Sequence, residues 1–342
     1  MKTIIVGSIR ENAGKTSFIA GLGKTLGCQF AYLKPFGDRL LYRKKRLWDY
    51  DSALITGIFE LEQNSEDITL GFEHARLRFM YDEAGTKNKV QEMARNLAST
   101  PLLIVEGGKD LTCGTSVRLD TISLVKYLGG QLILIISGDE GSILDDIVFV
   151  KKYVDMTGVD LSVIINKVNN LEDYKANYLR DVQEMGVKVL GVIPNEHKLT
   201  QVAMGYIAEK LQARILSGEG GLNKKVNKIL VGAMGGDAAT RYPLWKSENK
   251  LAITSGDRSD YILAALESST AGVILTNNFL PTQNLISRAA EKNIPMLLVP
   301  FDTFTTAKQV DDMVPLLTRE DNERLDLLQD LVSTNVNVKE LL

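Results

Sequence analysis

Short apolar runs rich in β-branched residues alternate along the chain with stretches of helical periodicity, the pattern of parallel strands joined by crossover helices. It predicts strands near residues 3–6, 29–33, 102–105, 131–136, 161–165 and 187–193, and helices starting near Gly14, Thr86, Val117, Ser142, Leu171 and Leu199. The alternation implies an α/β fold whose first domain, residues 1–216, is a doubly wound, mostly parallel sheet. A glycine-rich polar stretch at residues 217–226, after a helix expected to end near Leu216, reads as a linker. The alternation then restarts, with strands near 228–233, 251–254, 272–275 and 296–299 and helices near 260–266, 283–292 and 305–316. A second, smaller α/β domain over residues 227–318 follows. In the tail, residues 319–342, Leu325, Leu327, Leu328 and Leu331 fall at mostly helical spacing. An amphipathic helix is expected there, packed on the second domain or on another subunit.

Composition narrows the function classes. With 342 residues, 44% hydrophobic and 24% charged, the chain has the balance of a two-domain globular protein able to bury sizeable cores. Its 43 acidic and 40 basic residues leave a net charge of −3, with no basic field to draw nucleic acid or an anionic membrane. The basic run Arg43-Lys44-Lys45-Arg46 reads as a solvated loop, with an anionic substrate as the alternative. Cys28 and Cys113 are far apart and in no metal-ligand spacing, so neither a disulfide framework nor a zinc site is expected and a reducing cytoplasm fits. No apolar run reaches the ~20 residues of a membrane span, and the N-terminal run is too short for a signal peptide.

The chemistry begins at the first loop. Val6 closes an apolar run and Gly14-Lys15-Thr16 opens a helix, the strand, loop and helix order of a phosphate-binding P-loop. Small residues let backbone N–H groups curl around phosphate oxygens at the helix N-terminus, a lysine reaches the β and γ oxygens, and a hydroxyl coordinates Mg²⁺. The usual spacing would place the first glycine at position 9, where Ile9 stands; Gly7 comes two residues earlier, so this loop is longer than the standard one. Glu106 ends the run Pro101-Leu102-Leu103-Ile104-Val105 at the carboxyl end of a buried strand, where it can hold Mg²⁺ or cap the next loop. Asp51 is a second candidate ligand; Asp49 competes for that role, and a helix cap is the structural alternative. His74 and His197 read as ordinary packed or solvated histidines, Cys113 as a packed thiol, and Thr115 and Ser116 as a helix cap or a substrate contact.

The segments Gly-x6-Gly-Lys-Thr, Lys34-Pro35, Asp51, Val105-Glu106-Gly107-Gly108, Ile165-Asn166-Lys167-Val168 and Leu190-Gly191-Val192-Ile193-Pro194 resemble ATP-dependent dethiobiotin synthetases and the ATPase domains of cobyrinic acid amidotransferases. The resemblance spans most of residues 1–215. It implies ATP and Mg²⁺ as cofactors, with the metal held by Thr16, Asp51 and Glu106. It implies nucleotide contacts from Asn12, Ala13, Gly14, Lys15, Thr16 and Ser17 in the loop, and from Asn166 and Pro194 near the base. Lys15 and Lys34 become the candidate catalytic residues, Lys34 facing an acyl substrate. Arg10 stands where dimerising ATPases of the Min and Par type carry a lysine that crosses to the partner's nucleotide; an arginine near its own chain's phosphates is the alternative.

Farther on, residues 254–266, 271–278 and 302–307 are similar to the DRTGG domain, although only Asp257-Arg258 survives of the letters that name it. That pair is a possible anion site, with an Asp cap and a surface arginine as the alternative, and Asp302-Thr303 repeats the pattern. The domain order resembles the N-terminal, noncatalytic region of long phosphate acetyltransferases. The chain is read as stopping before any acetyltransferase domain, which counts against acetyl-phosphate synthesis by this polypeptide alone. Two functions compete, and a scaffold with a vestigial P-loop is disfavoured by the intact Gly14-Lys15-Thr16. One is an ATP- and Mg²⁺-binding regulator or sensor whose second domain reads a small anion or a partner enzyme. The other is an ATP-dependent ligase that phosphorylates a small carboxylate or carbamate. Either is expected to form a symmetric homo-oligomer.

Overall fold

The computed structural model describes residues 1–27, 29–43 and 46–341. Cys28 and the two lysines of the basic run, Lys44 and Lys45, lie outside the described residues. The chain forms two compact units, Met1–Glu196 with Leu317–Leu342, and His197–Leu316.

In the first unit six strands form one sheet: β1 (Lys2–Ser8), β2 (Phe30–Leu33), β5 (Leu102–Glu106), β6 (Gln131–Ile136), β7 (Leu161–Val168) and β8 (Lys188–Pro194), with β3 (Leu40–Arg43) and β4 (Arg46–Asp49) set apart as a hairpin. The order is β2-β5-β1-β6-β7-β8 and every pairing is parallel. These strands read as unbroken apolar runs because both faces are covered: Ile4, Ile5 and Val6 of β1, Leu103 to Val105 of β5 and Val163 to Ile165 of β7 are fully buried. The chain passes from β1 to β2, returns to β5 between them, then crosses to β6 on the far side of β1. The carboxyl ends of β1 and β5 therefore flank the reversal of strand order, where open α/β sheets place ligands.

The tail helix Asn322–Asn335 belongs to this unit, against the expectation that it packs on the second domain or another subunit. It lies on α1 (Lys15–Leu26), burying Leu325, Leu328 and Val332. Gly21 lets the two backbones meet, since a Cβ there would stand 2.5 Å from the Leu328 carbonyl oxygen. Lys24 and Asp326 pair at 2.8 Å along the seam, and the Asn337 N–H donates to the Leu190 carbonyl on β8 at 2.8 Å.

The second unit has β9 (Val202–Ala203) paired with β11 (Lys225–Val226), and a five-stranded sheet of β10 (Arg214–Ser217), β12 (Lys228–Val231), β13 (Lys250–Ser255), β14 (Thr270–Thr276) and β15 (Met296–Leu298). Its order is β10-β15-β14-β13-β12, parallel except for the antiparallel edge strand β10. Residues 217–226, read as a linker from their glycines, are structured within this unit. The Glu219–Gly221 turn leads into β11, Gly218 takes the left-handed conformation at φ 74°, and Leu216 ends no helix but lies in β10. The division therefore falls at residues 196–197, ahead of the glycine run. No helix among the described residues is long and apolar enough to cross a membrane.

Candidate phosphate-binding site

β1 ends at Ser8 and the chain turns through Asn12, left-handed at φ 56°, and Gly14, at φ 104°, before α1 begins at Lys15. Gly14 is required twice: for its backbone angle, and because a Cβ would stand 2.4 Å from Nδ2 of Asn166. That amide donates to the Ala13 carbonyl at 2.8 Å and the neighbouring Lys167 ammonium donates to the Asn12 carbonyl at 2.6 Å, so the end of β7 braces the loop from the side. Ser17 is half-buried on the first turn of α1, and Pro194 closes β8 opposite Val168. Arg10 makes a two-pronged pair with Asp146 of the same chain, at 2.7 and 3.0 Å.

Lys15 is buried, and its ammonium donates to Ser8 Oγ and to the Lys109 carbonyl, both at 2.9 Å. Burial holds its pKa below the ordinary lysine value. The segment after β5 is tied to the loop a second time by the Lys109–Glu11 pair at 2.6 Å. Thr16 Oγ1 donates to Glu106 Oε1 at 2.7 Å, and the Tyr32 hydroxyl donates to Glu106 Oε2 at 2.7 Å. Burial pushes the Glu106 carboxyl up to about 7. A hydroxyl beside a buried carboxylate is the hard-oxygen donor set that suits Mg²⁺. Glu106 has no room for a larger turn behind it: a Cβ on Gly107 would stand 2.3 Å from the Thr121 hydroxyl oxygen.

Lys34 and Asp51 are hydrogen-bonded to each other, close enough to Glu106 for each to act on its charge. The Lys34 ammonium lies 2.6 Å from Asp51 Oδ2, 2.7 Å from Asp38 Oδ1 and 3.4 Å from Asp49 Oδ2, and Arg39 donates to Asp51 Oδ1 at 3.1 Å. Burial alone would lower the Lys34 pKa, but Asp51, Glu106, Asp49 and Asp38 outweigh it and hold the ammonium well above its usual range. Burial would likewise raise Asp51, and Lys34 and Arg39 reverse that. Carboxylate oxygens of Asp38, Asp49 and Asp51 lie within 4.8 Å of one another, but the ammonium already fills the place of a cation among them. Asp49 is the helix cap: its Oδ1 accepts from the Ser52 N–H at 2.9 Å at the start of α2 (Tyr50–Ile58). Sequence reasoning missed Tyr32 and Arg39, which stand in no periodic or motif spacing with their partners, and Asp38, which follows Lys34 by four residues in a segment without helical pattern.

The remaining candidates make local contacts. Asp110 Oδ1 accepts from the N–H groups of Thr112 and Cys113, and the Thr115 hydroxyl donates to the Thr112 carbonyl at 2.7 Å, so residues 110–115 hold a turn of their own. Ser116 is exposed, and Cys113 is buried against Gly108. His74 packs tilted against Phe36 with ring centroids 4.7 Å apart, and His197 meets the Thr200 hydroxyl at 3.1 Å. In the second unit Asp257 is exposed, while Arg258 donates to the carbonyls of Gly232 at 3.3 Å and Met234 at 2.7 Å. Asp302 caps the helix Thr303–Asp311 through the Thr305 N–H at 2.9 Å.

Comparison with known proteins also divides the chain in two, a few residues beyond the break between the compact units. A family model described as an AAA domain matches residues 2–203, and one described as a DRTGG domain matches residues 206–313. The phosphate acetyltransferase of Pseudomonas putida is 26% identical over 369 residues, covering 98% of this chain and 51% of that protein. The uncharacterised protein YtoI of Bacillus subtilis is 28% identical over 153 residues, covering 42% of this chain and 33% of that one. The chain spans about half the length of the phosphate acetyltransferases it matches end to end. Among solved structures, the CBS and DRTGG domains of the regulatory region of Clostridium perfringens pyrophosphatase, complexed with diadenosine tetraphosphate, align at 17% identity and a TM-score of 0.31, over 51% of this chain and 74% of that one. The MinC:MinD complex of Aquifex aeolicus aligns at 17% identity and a TM-score of 0.38, over 58% and 84%. With a P-loop on β1, Glu106 on the adjacent strand and a dethiobiotin synthetase-like order of segments, the chain belongs to the AAA domain family through residues 2–203 and carries a DRTGG domain after it.

Proposed function

We propose that the first unit binds ATP with Mg²⁺ and that the chain is a nucleotide-dependent regulatory or sensor protein. The observation that carries the reading is the convergence of Lys15, Thr16 and Glu106 at the carboxyl ends of two adjacent parallel strands. The neutral oxygens of Ser8 and Lys109 that now hold the Lys15 ammonium are weaker acceptors than a phosphate oxygen, so a bound triphosphate would displace them. Thr16 and Glu106 would hold Mg²⁺, which when bound neutralises phosphate charge and orients the γ-phosphoryl group.

Regulation is favoured over ligation because Lys34 is spent. Three carboxylates surround its ammonium, leaving no net positive charge to receive an acyl carboxylate. Arg258 is likewise committed to two carbonyls, which favours contact with a partner enzyme over anion capture as the role of the second unit. Kinship with phosphate acetyltransferases makes an enzyme of that class the first partner to test. We take the chain to associate with itself symmetrically, as most soluble oligomers do.

Titration calorimetry with ATP and Mg²⁺ on the full chain and on Lys15→Ala tests the primary claim. Saturable binding by the wild type, weakened about tenfold or more in the variant by the loss of one charge-assisted bond, is expected; equal binding by both would sink it. An ADP-release assay across diamino acids and dicarboxylates separates the two functions: turnover stimulated by one of them would establish the ligase instead.

A further inference from the structure

The 18-residue helix Glu140–Thr157 is apolar on two opposite faces. Ile143, Ile147, Val150 and Val154 are buried, as one face of a helix covering a sheet must be. On the outer side Val148, Phe149, Tyr153 and Met156 are exposed by 38%, 64%, 42% and 86%. With Asp145 and Lys152 they occupy positions at spacings of three and four, so they form one stripe. A helix apolar all round is normally covered on both sides. Asp145 and Lys152 are the charged members of the stripe; Lys152 makes no ion pair or hydrogen bond among the described residues, Asp145 lies near Arg10, which is itself paired with Asp146, and Lys151 beside them pairs with Asp155 at 3.1 Å.

We propose that a second copy of this chain docks antiparallel on this face, about a twofold axis passing between Val148 and Phe149. A twofold interface uses the same patch on both copies, so each residue must meet its complement in the other chain. In this register Asp145 of each copy faces Lys152 of the other, giving two opposite-charge pairs. Val148 faces Phe149, and the long Met156 faces Gly141, which has no side chain to obstruct it. A parallel pairing would set Asp145 against Asp145 and Lys152 against Lys152. An acidic or a basic partner would match one end of the stripe and oppose the other. The charge pattern thus selects a second copy, head to tail. The proposal rests on the reading of symmetric self-association given above, and supplies its surface.

Sedimentation equilibrium of the full chain tests it, on the wild type, Phe149→Glu, Asp145→Lys, Lys152→Asp and the Asp145→Lys/Lys152→Asp double variant. All the substituted side chains are exposed, so folding is preserved. The wild type is expected at twice the mass of one chain and Phe149→Glu at the mass of one. Each single charge reversal creates two like-charge contacts and is expected to weaken association about tenfold or more, while the double variant restores it. A wild-type monomer would overturn both the surface and self-association. A Phe149→Glu chain that associates like the wild type would overturn the surface alone, and a double variant weaker than either single one would overturn the antiparallel register.

Discussion

Glu106 shows what one buried side chain imposes on the site. Its carboxyl titrates at about 7 in the folded chain against an ordinary 4.5. Below 4.5 it is protonated in both states and its contribution to stability is fully present; as pH rises to 7 the unfolded chain ionises first, and that contribution is lost. The loss at pH 8 is on the order of 3 kcal/mol without a bound cation. In magnesium-free buffer, Glu106→Gln should therefore raise the urea midpoint clearly at pH 8 and much less at pH 5. An equal gain at both values would mean that the carboxyl is not the titrating group. The Lys34 cluster behaves oppositely, because two cations, Lys34 and Arg39, hold its three acids ionised. Lys34→Met leaves three carboxylates facing one guanidinium and should cost about 3–5 kcal/mol at neutral pH, with the penalty fading as the acids protonate. A loss under ~1 kcal/mol by urea titration would show the cluster to be solvated. Lys15, Thr16 and Glu106 were legible in the sequence because each belongs to a contiguous motif at the end of an apolar run. Tyr32 was not, since its bond to Glu106 joins strands that only the folded sheet brings together, and Arg39 was not, since its bond to Asp51 closes the base of the β3–β4 hairpin, which carries no clear pattern.

At the scale of elements, legibility followed burial. The six parallel strands were read correctly as runs because none has an exposed face to interrupt the apolar pattern. The β3–β4 hairpin and β10 escaped: Leu40 and Tyr42 are 59% and 73% exposed and β10 is a half-buried edge of four residues, so neither shows a clean alternation. The helix expected from Val117 begins instead at Thr121, because Arg118 turns left-handed at φ 56° and Asp120 supplies the cap through the Ser123 N–H. The contact of α1 with the tail helix was invisible for another reason, since a glycine signals close approach without naming what approaches. Gly21→Ala tests it. In an isolated helix alanine would gain about 1 kcal/mol over glycine. Here the new Cβ would strike a backbone carbonyl that no rotamer can move, and overpacking of that kind costs about 1–3 kcal/mol, so a net loss is expected. Faster amide exchange across residues 322–335 should accompany the loss; a stabilised variant would show that the seam yields.

The chain as a whole is organised by an insertion. Strands from residue 2 to 194 and the helix Asn322–Asn335 share one unit, and residues 197–316 form another between them. Reading along the sequence cannot reveal this, because a helix is most simply assigned to the domain it follows, and a glycine run looks like a linker whether or not it folds. Each unit has a core of its own; that of the second is built on Ile253, Val273, Ile274, Met296 and Leu297 across its sheet. Separate cores predict separate unfolding, so calorimetry should resolve two transitions. A ligand that binds one folded unit stabilises only that unit, by about 2.7 kcal/mol at a hundredfold excess over Kd. ATP with Mg²⁺ should therefore move one transition upward and leave the other in place. A chain ending at residue 316 loses the helix that covers Gly21 on α1, and the transition it lowers should be the one that ATP raises. If the tail deletion instead lowered the ATP-insensitive transition, the tail would belong energetically to the DRTGG unit, and the insertion would be one of chain order alone.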